Sequence, residues 1–306
     1  MPLYLTEAEV EELLTPAAAF AAVEASFGRE VAMPPRTNVP VPGGTFAVMA
    51  AADPELGFAG LKSYAWLEPL GAPFVVVLFS LERAAVEAVV EADVLGRLRT
   101  AAASAVAATR LARSRPRTLG VFGSGRQAGA HVVALREALP SLERVVVHAR
   151  DEARLDAFCS SYGCEAAGEP REAGACDVVV TATTARDPVL RGEWLVSGAL
   201  VIGVGANEPT ARELDNVVLE RATFVCTDAR EQAKGEAGDL VEPVARGVLD
   251  WLEVHELRDV VAGDVTGRSS DDDIVVFKSN GIAGWDVAAA AAAVGLARER
   301  GLGRDL

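Results

Sequence analysis

The chain has 306 residues, half of them hydrophobic and 24% charged, with 44 Asp and Glu against 29 Lys and Arg, for a formal charge of −15. That balance argues for a folded globular body rather than a disordered one. It argues against nucleic-acid or anionic-membrane partners, because so acidic a surface repels phosphate backbones and acidic lipid alike. The length suits one large domain or two ordinary ones. The four cysteines form no CxxC pair, which reads as reduced thiols in a cytoplasmic protein. Met1–Glu7 lacks the basic and apolar regions of a signal peptide, and the most apolar stretch, Val287–Ala297, is too short to span a bilayer.

In chain order, Thr6-Glu7-Ala8-Glu9 has capping-box spacing ahead of Val10, Leu13 and Leu14. Thr15-Pro16 opens a second helix running to about Phe27. From Pro34 to Leu81, turn residues alternate with β-branched and aromatic runs at Thr45–Met49, Gly60–Tyr64 and Phe74–Phe79, which predicts a mostly antiparallel sheet. Val86–Val90 reads as a further strand, and Asp93 as the N-cap of a long Ala-rich helix ending near Arg113.

After Arg115-Pro116-Arg117 the rhythm changes. Strands at Thr118–Phe122, Arg144–Ala149, Asp177–Thr181, Leu200–Val204 and Phe224–Thr227 are interleaved with helices at Arg126–Leu139 and Glu152–Tyr162. Such alternation predicts right-handed βαβ units in a doubly wound parallel sheet. A closing Ala-rich helix spans Asp286–Glu299. The fold class is therefore α/β: a Rossmann domain over 114–285, preceded by an α+β domain over 1–113, with 286–306 as a C-terminal helix.

Gly123-Ser124-Gly125-Arg126-Gln127-Ala128 follows an apolar strand and opens a helix, the arrangement that a pyrophosphate needs. Gly123 suits the tight turn, Gly125 close approach of backbone to phosphate, and Ala128 close helix–sheet packing, while the free N–H groups of the helix start face the anion. Without this context GxGxxA is a weak pattern. The next strand ends His148-Ala149-Arg150-Asp151. Arg150 stands where a 2′-phosphate would lie, and Asp151 could reach a ribose or cap the next helix, so NADP is favoured, with NAD possible.

Arg36, Lys62 and Arg99 stand out in the first domain. Singly, each reads more readily as a solvated surface charge than as a ligand. Lys62 is the least bland, because it lies in an apolar strand-like run where an unpaired ammonium is costly. An Arg pairs a carboxylate through two N–H groups, and a desolvated Lys can donate a proton near neutral pH. The three histidines show no ligand spacing, so no metal is expected.

Together these segments resemble the ornithine cyclodeaminase/mu-crystallin family over essentially the whole chain. The carrying stretches are Pro34-Pro35-Arg36, Gly60-Leu61-Lys62, Arg99–Ser104, Gly123–Ala128, Gly203–Pro209, Arg212-Glu213-Leu214-Asp215 and Val276–Ala283. The resemblance implies a homodimeric NAD(P)-dependent protein whose first domain, joined by the C-terminal helix, forms the dimer interface and the substrate site. By position, Arg36, Lys62 and Arg99 would grip a substrate carboxylate, with Lys62 assisting proton transfer. Cofactor contacts would come from Gly123, Ser124, Gly125, Arg126, Gln127 and Ala128, and from Arg150, Thr181, Ser279 and Gly281.

Two departures narrow the activity. Ornithine cyclodeaminases resemble one another in an acid after the Gly-Gly or Gly-Ala of the late motif, where this chain has Asn207, and in a Glu where matching on Met49 places Ala47. Neither Asn nor Ala can neutralise an ornithine ammonium in a desolvated pocket. The expected activity is NAD(P)H-dependent reduction of small 2-imino acids, or oxidation of the corresponding amino acids, with Asn207 hydrogen-bonding substrate or water. Two alternatives stay open: ornithine cyclodeaminase itself, and a protein that binds NADPH and a small ligand without turnover.

Overall fold

Thr6 begins the first helix as its spacing predicts. Its side chain accepts from the Glu9 N–H, and the Glu9 carboxylate accepts from the Thr6 N–H in return. In the computed structural model, which describes residues 1–67 and 71–306, this helix is α1 (Glu7–Leu13). It follows strand β1 (Leu3–Leu5) and precedes α2 (Pro16–Phe27), which starts on the Thr15 cap with Pro16 in its first turn. Strands β2 (Thr37–Val41), β3 (Gly44–Asp53), β4 (Phe58–Leu67), β5 (Phe74–Ser80) and β6 (Ala85–Glu91) then pair antiparallel in succession.

Helix α3 runs Asp93–Leu111, and here one expectation is corrected. Asp93 is its first helical residue rather than its cap. The Asp93 and Val94 N–H groups instead donate to the Glu7 carboxylate at 2.7 and 2.8 Å, so an acid from α1 satisfies these donors.

The remaining strands are β7 (Thr118–Phe122), β8 (Arg144–His148), β9 (Glu165–Ala166), β10 (Val178–Thr181), β11 (Leu200–Gly203), β12 (Phe224–Thr227), β13 (Val254–Glu256) and β14 (Val275–Lys278). Helices α4 (Arg126–Ala138), α5 (Glu152–Tyr162), α6 (Pro170–Gly174), α7 (Asn216–Arg221), α8 (Arg230–Glu236), α9 (Gly238–Ala245) and α10 (Leu257–Ala262) connect them. These eight strands form one wholly parallel sheet in the order β13-β12-β14-β11-β10-β7-β8-β9. Val121, Val146, Val179, Val201 and Val276 are buried along it, as strands covered on both faces require. The order reverses between β7 and β10, and in such sheets ligands bind beyond the carboxyl ends of the strands at that reversal.

The chain ends with α11 (Ala283–Arg300) and β15 (Arg304–Asp305). β15 joins β1 at the edge of the first sheet, whose order is β15-β1-β6-β5-β4-β3-β2. Two compact units result, one of residues 1–103 with 281–306 and one of residues 104–280. The division falls inside α3, earlier than the Pro116 break suggests, because the helix continues through it. No helix among the described residues is long and apolar enough to cross a membrane.

Candidate active site

Strand β7 ends in a turn that only glycine tolerates. Gly123 has φ +112, and a β-carbon there would stand 2.5 Å from the Ala182 carbonyl oxygen, which follows β10. The loops leaving β7 and β10 therefore abut at the reversal of strand order. Gly125 is the N-cap of α4 in an extended conformation, and no side chain caps the helix. Around Gly125 a β-carbon would meet nothing within 4 Å, so the first N–H groups of α4 open onto free space. Ser124 and Gln127 are half-buried, Arg126 is exposed and Ala128 is fully buried. The tightest helix contact is made one residue later: a β-carbon at Gly129 would collide with the Tyr162 ring of α5.

A buried pair fastens this end of α4. His131 Nδ1 lies 2.8 Å from the Gln127 carbonyl oxygen, which can only accept, so Nδ1 carries the proton. Nε2 then accepts from the Ser104 hydroxyl at 2.9 Å. Burial pushes the imidazole down to about 4, keeping it neutral and in that role at neutral pH. The Gln127 Oε1 is buried without a hydrogen-bond partner among the described residues, an acceptor in the loop that no protein group satisfies.

Beyond β8, Arg150 is exposed. Asp151 caps α5, its carboxylate accepting from the Arg154 N–H at 3.0 Å, so of its two readings the capping role is the one observed. Thr181 is fully buried and donates to Glu213. Ser279 donates to Asp228 at 3.2 Å. Both hydroxyls are thus engaged within the protein. Asn207 is exposed on the loop after β11.

That loop rests on buried charges which the sequence reading left without a role. Lys278, fully buried at the end of β14, donates to the Ala206 carbonyl at 2.5 Å and pairs with Asp239 at 3.2 Å. Asp239 accepts from the Glu213 and Leu214 N–H groups. Glu213 accepts from Thr181, Thr183 and Gly205. Burial raises the Glu213 carboxyl above its ordinary range, with the Lys278 charge opposing that rise.

In the other unit the cations converge. Lys62 of β4 is 5% exposed and Arg99 of α3 is 5% exposed. Both reach one carboxylate oxygen, Asp286 Oδ1 of α11, Lys62 Nζ at 3.2 Å and Arg99 Nε at 2.9 Å. Lys62 Nζ also lies 5.2 Å from the centre of the Phe74 ring. Arg36 is half-buried and donates to the Tyr64 hydroxyl at 3.3 Å. Burial pushes the Lys62 ammonium down to about 8; Asp286 opposes the fall, and the Arg99 and Arg36 charges add to it.

Two polar atoms of this cluster, Arg99 Nη1 and Asp286 Oδ2, are buried with no hydrogen-bond partner among the described residues. Buried donors and acceptors are nearly always satisfied, so this pair is hydrogen-bonding capacity that the described protein groups leave unused. Gly281 belongs here: it has φ +76, and a β-carbon would stand 2.9 Å from Arg99 Nη2, so glycine leaves the guanidinium its room. Opposite β4, Met49 pairs with Lys62 and Ala47 with Tyr64, which sets both on the Lys62 face of the sheet, buried.

Asp286 is the site residue that sequence reasoning missed. Its one signal is an acid at the start of an otherwise apolar, Ala-rich run.

Comparisons with known proteins show the family of the chain. Residues 2–300 match the model of the ornithine cyclodeaminase/mu-crystallin family. The chain is 36% identical over 302 residues to an alanine dehydrogenase of Archaeoglobus fulgidus, covering 94% of this chain and 92% of that protein. It is similar to the structure of a Thermococcus litoralis Δ1-pyrroline-2-carboxylate reductase in complex with NADH and L-proline, with TM-score 0.93, 28% identity, and coverage of 99% of this chain and 100% of that one. An archaeal alanine dehydrogenase dimer with bound NAD superposes with TM-score 0.93 at 33% identity, covering 100% of this chain and 98% of that one. With a family match over residues 2–300 and 36% identity to a relative over nearly its whole length, the chain is a member of the ornithine cyclodeaminase/mu-crystallin family.

Proposed function

We propose that this protein is an NAD(P)H-dependent reductase of small 2-imino acids, also able to oxidise the corresponding L-amino acids. The observation that carries the reading is the Lys62–Arg99–Asp286 cluster, with Arg99 Nη1 buried and unpartnered beside an ammonium whose pKa is about 8. Arg99 and Arg36 bind the substrate carboxylate and orient the C=N bond. Lys62 gives its proton to the substrate nitrogen, which leaves an amine. Gly123 to Ala128, at the uncapped start of α4, would hold the pyrophosphate of a nicotinamide dinucleotide, which when bound would supply the hydride.

Ala47 and Asn207 are uncharged, so the chain offers no carboxylate at either position for a terminal ammonium. This supports the reductase over a cyclodeaminase. Four free cysteines suit a reducing cytoplasm. With Asp151 engaged in capping α5 and Arg150 exposed, the finer choice is NADPH over NADH.

One assay separates the readings. Purified protein is given NADPH or NADH with cyclic ketimines and with pyruvate plus ammonia, and separately ornithine with catalytic NAD. Oxidation of the nicotinamide is expected with the imines, faster with NADPH. Proline and ammonia from ornithine would replace this activity with cyclodeamination. Tight binding with no turnover would make the protein a ligand carrier, and a preference for NADH would overturn the assignment to Arg150.

A homodimer is also proposed. The face of the first sheet opposite Lys62 carries Phe46, Val48, Ala50, Leu61, Val77 and Phe79, all apolar and none fully buried. A face of that kind calls for a partner surface. Sedimentation should give a dimer, and Leu61→Lys should give monomers; a monomeric wild type refutes this.

A further inference from the structure

Two cations, Lys62 and Arg99, and one carboxylate make up the buried cluster, and the carboxylate is the member without an assigned role. Asp286 is 1% exposed, at the first turn of α11, and its Oδ1 is shared by Lys62 Nζ from β4 and Arg99 Nε from α3. The groups facing Lys62 are Asp286 on α11, Arg99 on α3, Arg36 ahead of β2 and the Phe74 ring on β5. Among the described residues, Asp286 is the carboxylate that meets Lys62. Without it, an ammonium taken out of water would face two guanidinium groups, and its proton would be lost to solvent.

We propose that Asp286 is the positioning residue of the active site: one carboxylate oxygen fixes Lys62 and Arg99 relative to each other and keeps Lys62 charged as the proton donor. The geometry supports it: one carboxylate oxygen is shared by Lys62 Nζ and Arg99 Nε, so a single counter-charge offsets the burial of both cations. Binding of the carboxylate through Arg99 depends on the same contact, because the Nε bond to Asp286 aims the guanidinium and leaves Nη1 for the ligand.

The catalytic consequence rests on the reductase reading, whereas the electrostatic one does not, and the test keeps them apart. The chain has only three lysines, Lys62, Lys234 and Lys278, so the Cε resonances of lysine-labelled protein can be assigned with Lys62→Met. In the wild type the Lys62 signal should titrate near pH 8; in Asp286→Asn it should titrate at least one pH unit lower, and Asp286→Glu should restore most of the difference. In imine reduction the alkaline limb of kcat/KM should move by the same amount, with KM for the substrate raised about tenfold. An unmoved Lys62 titration overturns the proposal. A shifted titration without any imine reduction leaves Asp286 in its role and refutes the reductase reading instead. If Asp286→Asn does not fold, the wild type decides: the Asp286 carboxyl carbon must report the Lys62 midpoint, and separate midpoints reject the coupling.

Discussion

Lys62→Met is expected to lower kcat/KM for imine reduction by about 10²–10⁴-fold, the usual worth of a positioned proton donor, while leaving the protein folded. Methionine fills the same volume on β4, and the change removes a buried ammonium whose pKa burial has already pushed down to about 8. Asp286 keeps Arg99 as its partner, so no carboxylate is left alone. Activity and stability should therefore separate: turnover collapses, while the melting temperature holds or rises. The pH dependence follows with a definite sign. Reduction needs the charged lysine and should fall away above about pH 8, whereas amino-acid oxidation needs the neutral amine and should rise through the same region. Turnover within tenfold of the wild type would take Lys62 out of the proton path.

Lys278→Met should do the opposite, costing the fold first. Lys278 is fully buried between Asp239 and the Ala206 carbonyl, and its charge opposes the upward push that burial exerts on Glu213. Removing it leaves two buried carboxylates, Glu213 and Asp239, facing each other without a cation. Breaking a buried ion pair from one side costs about 3–5 kcal/mol, a large part of a total near 5–15 kcal/mol. A fall in Tm of order 10 °C is expected. The second-site test is sharper than the single variant. Adding Asp239→Asn to Lys278→Met should recover part of the loss, because it removes the charge left unpaired. A double variant no more stable than the single one would show that packing around the Lys278 stem, rather than charge, sets the cost.

These two lysines show how far sequence reading reached. Lys62 could be singled out because an ammonium in an apolar strand is locally anomalous. Lys278 lies in an equally apolar run, Val275–Lys278, yet its strand went unread, and it entered only as part of a family stretch. Nothing within a few residues of Lys278 tells a buried structural charge from a site charge. Its partner Asp239 lies on α9, and the carbonyl it binds lies 72 residues earlier.

Short-range rules explain what could be read directly. The Thr6–Glu9 box, Pro16 in the first turn of α2, the turn at Gly123 and the alternation that predicts the parallel sheet each act within a few residues, where spacing and residue type are sufficient evidence. Glu7 marks the limit of such rules: in sequence it belongs to the first turn of α1, yet its carboxylate also caps α3, 86 residues away. Asp286 lies 224 residues from Lys62 and 187 from Arg99. An ion pair spanning such distances imposes no spacing on the chain. The sequence by itself determined a strand–glycine turn–helix that is a candidate dinucleotide loop, a doubly wound sheet and three candidate cations. Only the tertiary structure decided that two of those cations meet on one carboxylate, because a buried charge is stable only beside its counter-charge, and folding is what brings the two together.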